Sequence, residues 1–194
     1  ENYTPTINNA LQNTQCIFLG NIHPDMQMAV INKAQKNQII ILDTMNLWID
    51  ISYNTLVEVI SKVNIFLLND EEAFLLTNTN KIETAAEQLS ELGPEIIIIK
   101  KGSHGSYLYD KKENIKINIP AFPIKQVIDT TGAGDSFAGG FVGTINQTNI
   151  IDAVITASAI ASFTVSAFGV KGLINIDVDE LTHRINYIKS IMEK

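Results

Sequence analysis

Cysteine is nearly absent from this sequence, because Cys16 is the single cysteine among 194 residues. One thiol cannot form an internal disulfide, and Cys16 together with the three histidines shows no spacing typical of a zinc site. The natural inference is a protein that works in a reducing compartment, and we predict a cytoplasmic location.

Basic runs are also absent. The chain has 14 Lys+Arg against 21 Asp+Glu, which gives a net charge of -7. Binding of nucleic acid through a broad basic surface is therefore disfavoured, since such binding depends on cations that replace phosphate counterions. The hydrophobic fraction of 45% and the charged fraction of 18% fit a folded soluble protein and exclude a disordered chain.

The start of the chain has neither Met nor the features of a signal peptide, because residues 1–15 lack a basic beginning and an apolar stretch. The uncharged run 153–170 is about as long as the shortest membrane-spanning helices. Its small and hydroxyl residues suit close helix packing in a soluble protein, so we expect no membrane span. We also expect the chain to be an excerpt of a longer gene product.

Short apolar runs without polar alternation predict strands that are buried on both faces, as in a parallel sheet. Helical periodicity fills the intervals, so the sequence predicts a single α/β domain over 1–194. The predicted strands are 16–19, 39–42, 65–68 and 96–99, followed by 106–109, 115–119 and 125–128 as antiparallel additions at one edge. The predicted helices are 24–36, 55–62, 71–77, 83–92, 133–145, 153–168 and 178–192, the last with Asp177 as N-cap.

Polar residues and glycines follow the predicted strands. Ligands of open parallel sheets bind outside the carboxyl ends of the strands, so the residues that follow each strand are candidate site residues. Any one of these polar segments can also be explained without a ligand, because the chain must leave the core and meet water at the end of a strand. The residues that follow the predicted strands are Gly20-Asn21, Asp43-Thr44, Asn69-Asp70, Lys100-Lys101-Gly102 and Asp129-Thr130.

The segment 129–140, DTTGAGDSFAGG, is the most informative part of the sequence. Glycines that precede a helix expose free N–H groups at the positive end of the helix dipole, and this combination binds anions. Asp135 lies in the first helical turn. It either caps the helix or accepts a proton from a hydroxyl while the amides stabilise a transferring phosphoryl group.

Two familiar nucleotide motifs do not match. A P-loop requires GxxxxGK followed by Ser or Thr, which this segment lacks. A dinucleotide fingerprint requires glycine where Phe137 stands, and no acidic ribose ligand follows on a strand. A dinucleotide-dependent oxidoreductase is therefore disfavoured.

Residues 129–141 resemble the second signature of the ribokinase-like PfkB family of carbohydrate and nucleoside kinases. The segment 69–72, NDEE, matches the NxxE element of that family, and 100–105, KKGSHG, resembles its nucleotide-phosphate loop. The segment 43–46, DTMN, resembles its DxN stretch. The similarity covers nearly the whole chain from about Cys16.

The resemblance implies a ribokinase-like three-layer αβα fold with a mostly parallel central sheet. The chain would be the carboxyl-terminal, nucleotide-binding portion of the kinase. The glycine-rich first signature, the amino-terminal strands and the lid are not recognisable in this sequence, and the family has them before this segment.

The resemblance also implies a role for each matching residue. Asp135 would be the general base, and the amides of Gly132, Ala133 and Gly134 would form the anion hole. Asn69 and Glu72 would place Mg²⁺, unless they are a solvated helix start. Nucleotide would be bound by Lys100, unless it forms a solvated pair with Lys101, and by Gly102, Ser103, Gly105, Phe168 and Gly169. Asp129 and Thr131 would lie near a monovalent cation, unless Asp129 only braces the turn.

The implied function is ATP-dependent phosphoryl transfer to a hydroxyl of a sugar or nucleoside. ATP and Mg²⁺ are the expected cofactors, with a monovalent cation such as K⁺ as a further one. A small-molecule acceptor is the expected partner, and the family suggests a homodimer formed through the lid region. The alternative is a non-catalytic nucleotide-binding regulatory module of the same fold.

Overall fold

A computed structural model describes Pro5 and residues 13–192. These residues form six strands and eight α-helices. The strands are β1 (Cys16–Leu19), β2 (Ile39–Asp43), β3 (Ile65–Asn69), β4 (Ile96–Lys100), β5 (Ser106–Asp110) and β6 (Ile115–Ile119). The helices are α1 (Pro24–Ile31), α2 (Asn46–Ile51), α3 (Tyr53–Ile60), α4 (Asp70–Thr77), α5 (Ile82–Glu91), α6 (Ala133–Thr144), α7 (Ile150–Thr164) and α8 (Val178–Met192).

The six strands form one sheet in the order β1-β2-β3-β4-β5-β6. β1 and β3 both pair with β2 in parallel, with Cys16 opposite Ile39 and Ile41 opposite Ile65. The connections 101–105 and 111–114 are too short for a parallel crossover, so β5 runs antiparallel to β4 and β6 runs antiparallel to β5. The sheet is therefore mixed, and β5 and β6 occupy one edge, as the sequence predicts.

The chain divides into two compact units. The first contains the described residues up to Ile99 together with Tyr109–Lys116, and the second contains Lys100–Leu108 and the residues from Ile117 onwards. The sequence-based expectation of a single domain stays a prediction.

The first unit has an aliphatic core that follows directly from the apolar strand runs. Leu56, Val59 and Ile60 recur at helical spacing in α3 and are fully buried. Phe66 and Leu67 of β3 are fully buried as well. Burial of each such large side chain contributes roughly 1.5–3 kcal/mol to folding.

The second unit is built around the contact of α6 with α7. Gly140 permits this contact, because a Cβ atom there would lie 2.9 Å from Ile160 Cδ1 and 3.1 Å from Ala157 Cα. Arg184 of α8 binds to two residues of α7. Its Nη1 donates to Ser162 Oγ at 2.8 Å, and its guanidinium carbon lies 3.6 Å from the ring centroid of Phe163. Asp177 caps α8 as predicted, since its Oδ1 accepts the N–H of Asp179 at 2.8 Å.

Several elements differ from the sequence predictions. The segment 125–128 is not a strand: the N–H of Ile128 donates to Val165 O at 2.8 Å, at the end of α7, and the side chains of Val127 and Ile128 are exposed. Helix α1 stops at Ile31 instead of residue 36, because the Gln38 side chain accepts the N–H of Gln35. Helix α2 was not predicted, and no side chain caps its start.

Helix α7 begins and ends earlier than predicted. It begins at Ile150, where the Asn149 side chain accepts the N–H of Asp152 at 2.9 Å, and it ends at Thr164. None of the helices in the described part of the chain is long and apolar enough to cross a membrane.

Candidate active site

The start of α6 is a helix terminus at which two of the first amides have no hydrogen-bond partner among the described residues. Gly132 is the N-cap and adopts the left-handed conformation with φ 77°, which a glycine accepts at low cost. Ala133 N–H donates to Thr130 O at 3.2 Å and Ser136 N–H donates to Gly132 O at 2.9 Å. The N–H groups of Gly134 and Asp135 have no hydrogen-bond acceptor among the described residues. Together with the helix dipole, they form a site suited to an anion.

Lys100 adds a cation to this terminus. Its Nζ lies 3.5 Å from the position that a Cβ atom on Gly134 would occupy. A second positive group beside the positive end of a helix favours an anion that both can contact. The neighbouring Lys101 contacts a different element, since its Nζ donates to Asn118 Oδ1.

Asp135 is the third residue of α6 and is exposed. Its carboxylate makes no hydrogen bond or ion pair with any other residue that the structure describes. It therefore does not cap the helix, because Gly132 occupies the N-cap position and no side chain bonds there. The carboxylate keeps its acceptor capacity for a ligand, which is what a general base requires.

Asp129 braces the turn that precedes this terminus. Its Oδ1 accepts the N–H of Thr131 at 2.9 Å, and its Oδ2 accepts the N–H of Gly169 at 3.3 Å. The hydrogen bonds from Thr131, followed by the one from Gly169, lower the pKa of this carboxyl group below its ordinary value. These hydrogen bonds support the interpretation that Asp129 braces the turn. A monovalent cation at Asp129 and Thr131 stays a prediction.

A pair of buried hydroxyl groups holds the first turn of α6 in place, and the sequence pattern does not reveal it. Thr164 Oγ1 donates to Ser136 Oγ at 2.7 Å, and Ser136 Oγ donates to Ala133 O at 3.1 Å. Both side chains are buried. The pair connects the last residue of α7 with the first turn of α6, and only the tertiary structure reveals it, because the two residues are 28 positions apart.

The loop 100–105 follows the end of β4. Gly102 has φ 55° with no atom near its Cβ position, and Ser103 is exposed. Gly105 has φ 83°, and the backbone of 119–121 fills its Cβ position, so packing already requires glycine there. Phe168 is 71% exposed and precedes Gly169. The nucleotide-binding roles of Gly102, Ser103, Gly105, Phe168 and Gly169 stay predictions.

Asn69 and Glu72 belong to the first unit and form a capping box at the start of α4. Asn69 Oδ1 accepts the N–H of Glu72 at 2.7 Å, while Glu72 Oε2 accepts the N–H of Asn69 at 2.8 Å. Glu72 is only 5% exposed, so it is not part of a solvated acidic face.

The oxygen atoms of Asn69 and Glu72 meet only some of the requirements of a Mg²⁺ site. The described residues contain no group of three His, Cys, Asp or Glu side chains arranged to hold a metal ion. Carboxylate and amide oxygens suit Mg²⁺, which commonly keeps several waters and shares nucleotide phosphates. Asn69 and Glu72 are thus compatible with a water-mediated site, and this role stays a prediction.

Solved structures identify the class of protein that this fold defines. The nucleoside kinase of Methanocaldococcus jannaschii, an archaeal member of the ribokinase family, matches 95% of this chain with a TM-score of 0.76 and 27% identity. Ribokinase from Arabidopsis thaliana, solved with ribose and ATP, matches 90% of this chain with a TM-score of 0.74 and 26% identity. The fold is the ribokinase-like αβα fold.

The sequence comparison is more specific. Residues 6–176 match the model of the pfkB family carbohydrate kinases, and the chain belongs to that family. The curated nucleoside kinase of M. jannaschii is 30% identical over 158 residues, which is 81% of this chain. The chain spans 51% of the length of that relative, and 59% and 56% of the two solved structures.

Proposed function

We propose that this protein carries the nucleotide-binding and catalytic-base part of an ATP-dependent kinase that phosphorylates a hydroxyl of a sugar or nucleoside. The observation that carries the proposal is the start of α6. It combines two unpartnered amides, the ammonium of Lys100 and an unbonded carboxylate, Asp135, within one helical turn. Family membership supports the same chemistry, and ATP is the phosphoryl donor in this proposal.

Each group has a defined task in the transfer. Asp135 accepts the proton of the acceptor hydroxyl as its oxygen forms the new bond to the γ-phosphorus atom. The bond from that phosphorus to the β–γ bridging oxygen breaks, and ADP leaves with the electron pair. The unpartnered amides of Gly134 and Asp135, together with Lys100, stabilise the charge on the phosphoryl oxygens, whereas the N–H of Ala133 is already bonded to Thr130 O. Because Asp135 is exposed, it then releases the proton to solvent.

Preorganisation of the α6 terminus is the main contribution of the chain to this reaction. Asp129 holds the preceding turn through Thr131 and Gly169, and the Thr164–Ser136 pair holds the first turn through Ala133 O. Donors that are already fixed need no reorganisation when charge develops. Mg²⁺, which Asn69 and Glu72 would hold through water, would neutralise phosphate charge when bound.

The proposal is tested by measuring Mg²⁺-dependent ADP release from the full-length protein against a panel of sugars and nucleosides. Asp135→Asn should lower kcat by roughly 10²- to 10⁴-fold, the usual contribution of a general base. The affinity for ADP should stay close to that of the wild type. Asp179→Asn is the matched control, because Asp179 is an exposed acid in the first turn of α8.

Three results would count against parts of the proposal. Near-normal turnover by Asp135→Asn would remove Asp135 from the role of base. Binding of ATP without turnover on any acceptor would favour the regulatory module. Binding of NADH in preference to ATP would contradict the kinase altogether. The cytoplasmic location and a homodimer through a lid stay predictions.

A further inference from the structure

Two hydroxyl groups form a hydrogen-bonded chain that ends on a backbone carbonyl in the first turn of α6. Ser136 Oγ donates its single hydrogen to Ala133 O at 3.1 Å. At the 2.7 Å contact with Thr164 Oγ1, Ser136 must therefore accept and Thr164 must donate. The chain thus has one direction, from Thr164 at the end of α7 through Ser136 to the carbonyl of Ala133.

The carbonyl of Ala133 belongs to the same peptide group as the N–H of Gly134. Resonance couples the two, so a hydrogen bond at the oxygen draws electron density from the nitrogen and makes the N–H a stronger donor. The N–H of Gly134 has no hydrogen-bond acceptor among the described residues. Gly134 is also partly exposed, so a ligand can reach it. The hydroxyl chain therefore acts, through one peptide group, on an amide that is available to an anion.

Both hydroxyl groups of the chain are shielded from water. Thr164 is 3% exposed and Ser136 is 9% exposed. In such surroundings successive hydrogen bonds polarise one another, and each becomes about 10–30% stronger. Ala133 O can also accept the regular intrahelical N–H, because a carbonyl oxygen has two lone pairs. The bond from Ser136 thus adds to the hydrogen bonding of the helix and does not replace it.

A similar chain in α7 has a different end. Arg184 Nη1 donates to Ser162 Oγ, and Ser162 Oγ donates to Ala159 O. The amide that shares a peptide group with this carbonyl belongs to Ile160, which lies inside α7, where regular helical hydrogen bonding uses it. The chain from Arg184 therefore ends within satisfied structure, whereas the chain from Thr164 ends at an unpartnered amide.

We propose that Ser136 and Thr164 are positioning residues for phosphoryl transfer, because they orient the N–H of Gly134 and strengthen it as a donor to a phosphoryl oxygen. Neither hydroxyl needs to contact the ligand, since both act through the peptide group of Ala133 and Gly134. This inference rests on the proposed kinase function, in which that amide stabilises phosphoryl charge. By linkage, an anion at Gly134 in turn strengthens the bond from Ser136 to Ala133 O.

Triple-resonance NMR of the full-length protein measures the polarisation without any ligand. Ser136→Ala removes the hydrogen bond to Ala133 O, so the carbonyl carbon signal of Ala133 and the amide nitrogen signal of Gly134 should both move upfield. Thr164→Val should move both signals in the same direction by less, because the bond from Ser136 remains. Thr164→Ser keeps the hydroxyl and should restore the wild-type positions.

Calorimetric titration with ADP in the absence of Mg²⁺ measures the consequence for binding. A 10–30% change in a hydrogen bond to a charged group corresponds to roughly 1.5- to 4-fold in affinity, and Ser136→Ala should weaken ADP binding by that factor. The value of kcat/KM for ATP should fall at least as much, while KM for the phosphate acceptor stays unchanged. The double variant Ser136→Ala/Thr164→Val leaves neither hydroxyl buried without a partner, so it gives the same readout at a smaller loss of stability.

Two variants serve as matched controls. Ser90→Ala removes a buried hydroxyl that donates to Glu87 O, three residues earlier in α5, at 2.8 Å. Thr156→Val removes a hydroxyl of α7 that donates to Asp152 O at 2.9 Å. Both should lower the melting temperature and leave the Gly134 signal and the affinity for ADP unchanged.

Four outcomes would overturn the proposal. Unmoved Ala133 and Gly134 signals in Ser136→Ala would show that the peptide group is not polarised. Wild-type affinity for ADP in both Ser136→Ala and the double variant would show that the polarisation does not matter for phosphate. Equal effects of Thr164→Ser and Thr164→Val would assign the effect to the shape of the side chain. Equal weakening of ADP binding by Ser90→Ala would assign it to a general loss of stability.

Failure of the kinase proposal looks different. Binding of ADP that depends on Ser136, in a protein that phosphorylates no acceptor, would retain the positioning role and reject the kinase. Conversely, turnover that depends on Asp135 but is normal in Ser136→Ala and in the double variant would retain the kinase and reject the positioning role.

Discussion

Two of the helix N-termini that carry acidic residues in their first turn, those of α4 and α6, are built in opposite ways. At the start of α4, Asn69 and Glu72 exchange side-chain hydrogen bonds with each other's backbone. At the start of α6, Gly132 offers no side chain, and Asp135 leaves its carboxylate unbonded. The first terminus is satisfied within the chain and the second is available to a ligand. An acidic first turn therefore identifies a candidate site only when the amides beside it are unsatisfied.

Gly132→Ala should give the largest effect on the difference between the two termini, because it changes the N-cap of α6. No atom would clash with the new Cβ, but φ 77° strains any residue that has one, by roughly 1–2 kcal/mol. We expect the turn to relax and the affinity for ADP to fall by about tenfold. Calorimetric titration with ADP measures the affinity, and thermal denaturation measures the strain.

Gly139→Ala is the control for this prediction. Gly139 lies within α6, is exposed and has open space at its Cβ position. Alanine should stabilise the helix there by roughly 0.5–1 kcal/mol and leave the affinity for ADP unchanged. Equal ADP affinity in Gly132→Ala and Gly139→Ala would mean that the conformation of Gly132 does not matter for the anion site.

A smaller effect is expected at α4, where capping and metal binding can be separated. Asn69→Ala removes the cap and should lower the free energy of unfolding by about 1 kcal/mol. Glu72→Gln retains an oxygen that accepts the N–H of Asn69, so the capping hydrogen bond should persist. If Glu72 also helps to place Mg²⁺, the Mg²⁺ concentration for half-maximal ADP release should rise in Glu72→Gln.

The opposite result would exclude Glu72 from the metal site. An unchanged Mg²⁺ dependence of ADP release in Glu72→Gln would show that this carboxylate does not help to place Mg²⁺. Chemical denaturation and Mg²⁺ titration of the same samples make this comparison.

The sequence predicts the β1 to β6 strands well, because runs such as 96–99 consist of apolar β-branched residues. It fails at 125–128, where the backbone of Ile128 bonds to the end of a helix that is distant in sequence. It also misses α2, which has six residues and no capping side chain. Local pattern carries no information about either case.

In the candidate site, too, some features can be predicted from local sequence and others depend on tertiary contacts. The motif 129–135 locates the α6 terminus, since its glycines and its aspartate are local features. Three facts depend on tertiary contacts, namely the bond from Gly169 to Asp129, the Thr164–Ser136 pair and the place of Lys100 beside Gly134.

An amide ¹H–¹⁵N NMR titration of the protein with ADP in the absence of Mg²⁺ tests directly whether the start of α6 binds phosphate. If it does, the amide signals of Gly134 and Asp135 move as ADP binds, while those of Asn69 and Glu72, which are already bonded, stay in place. ADP binding that leaves the Gly134 and Asp135 signals unmoved would contradict the claim that the start of α6 is the phosphate site.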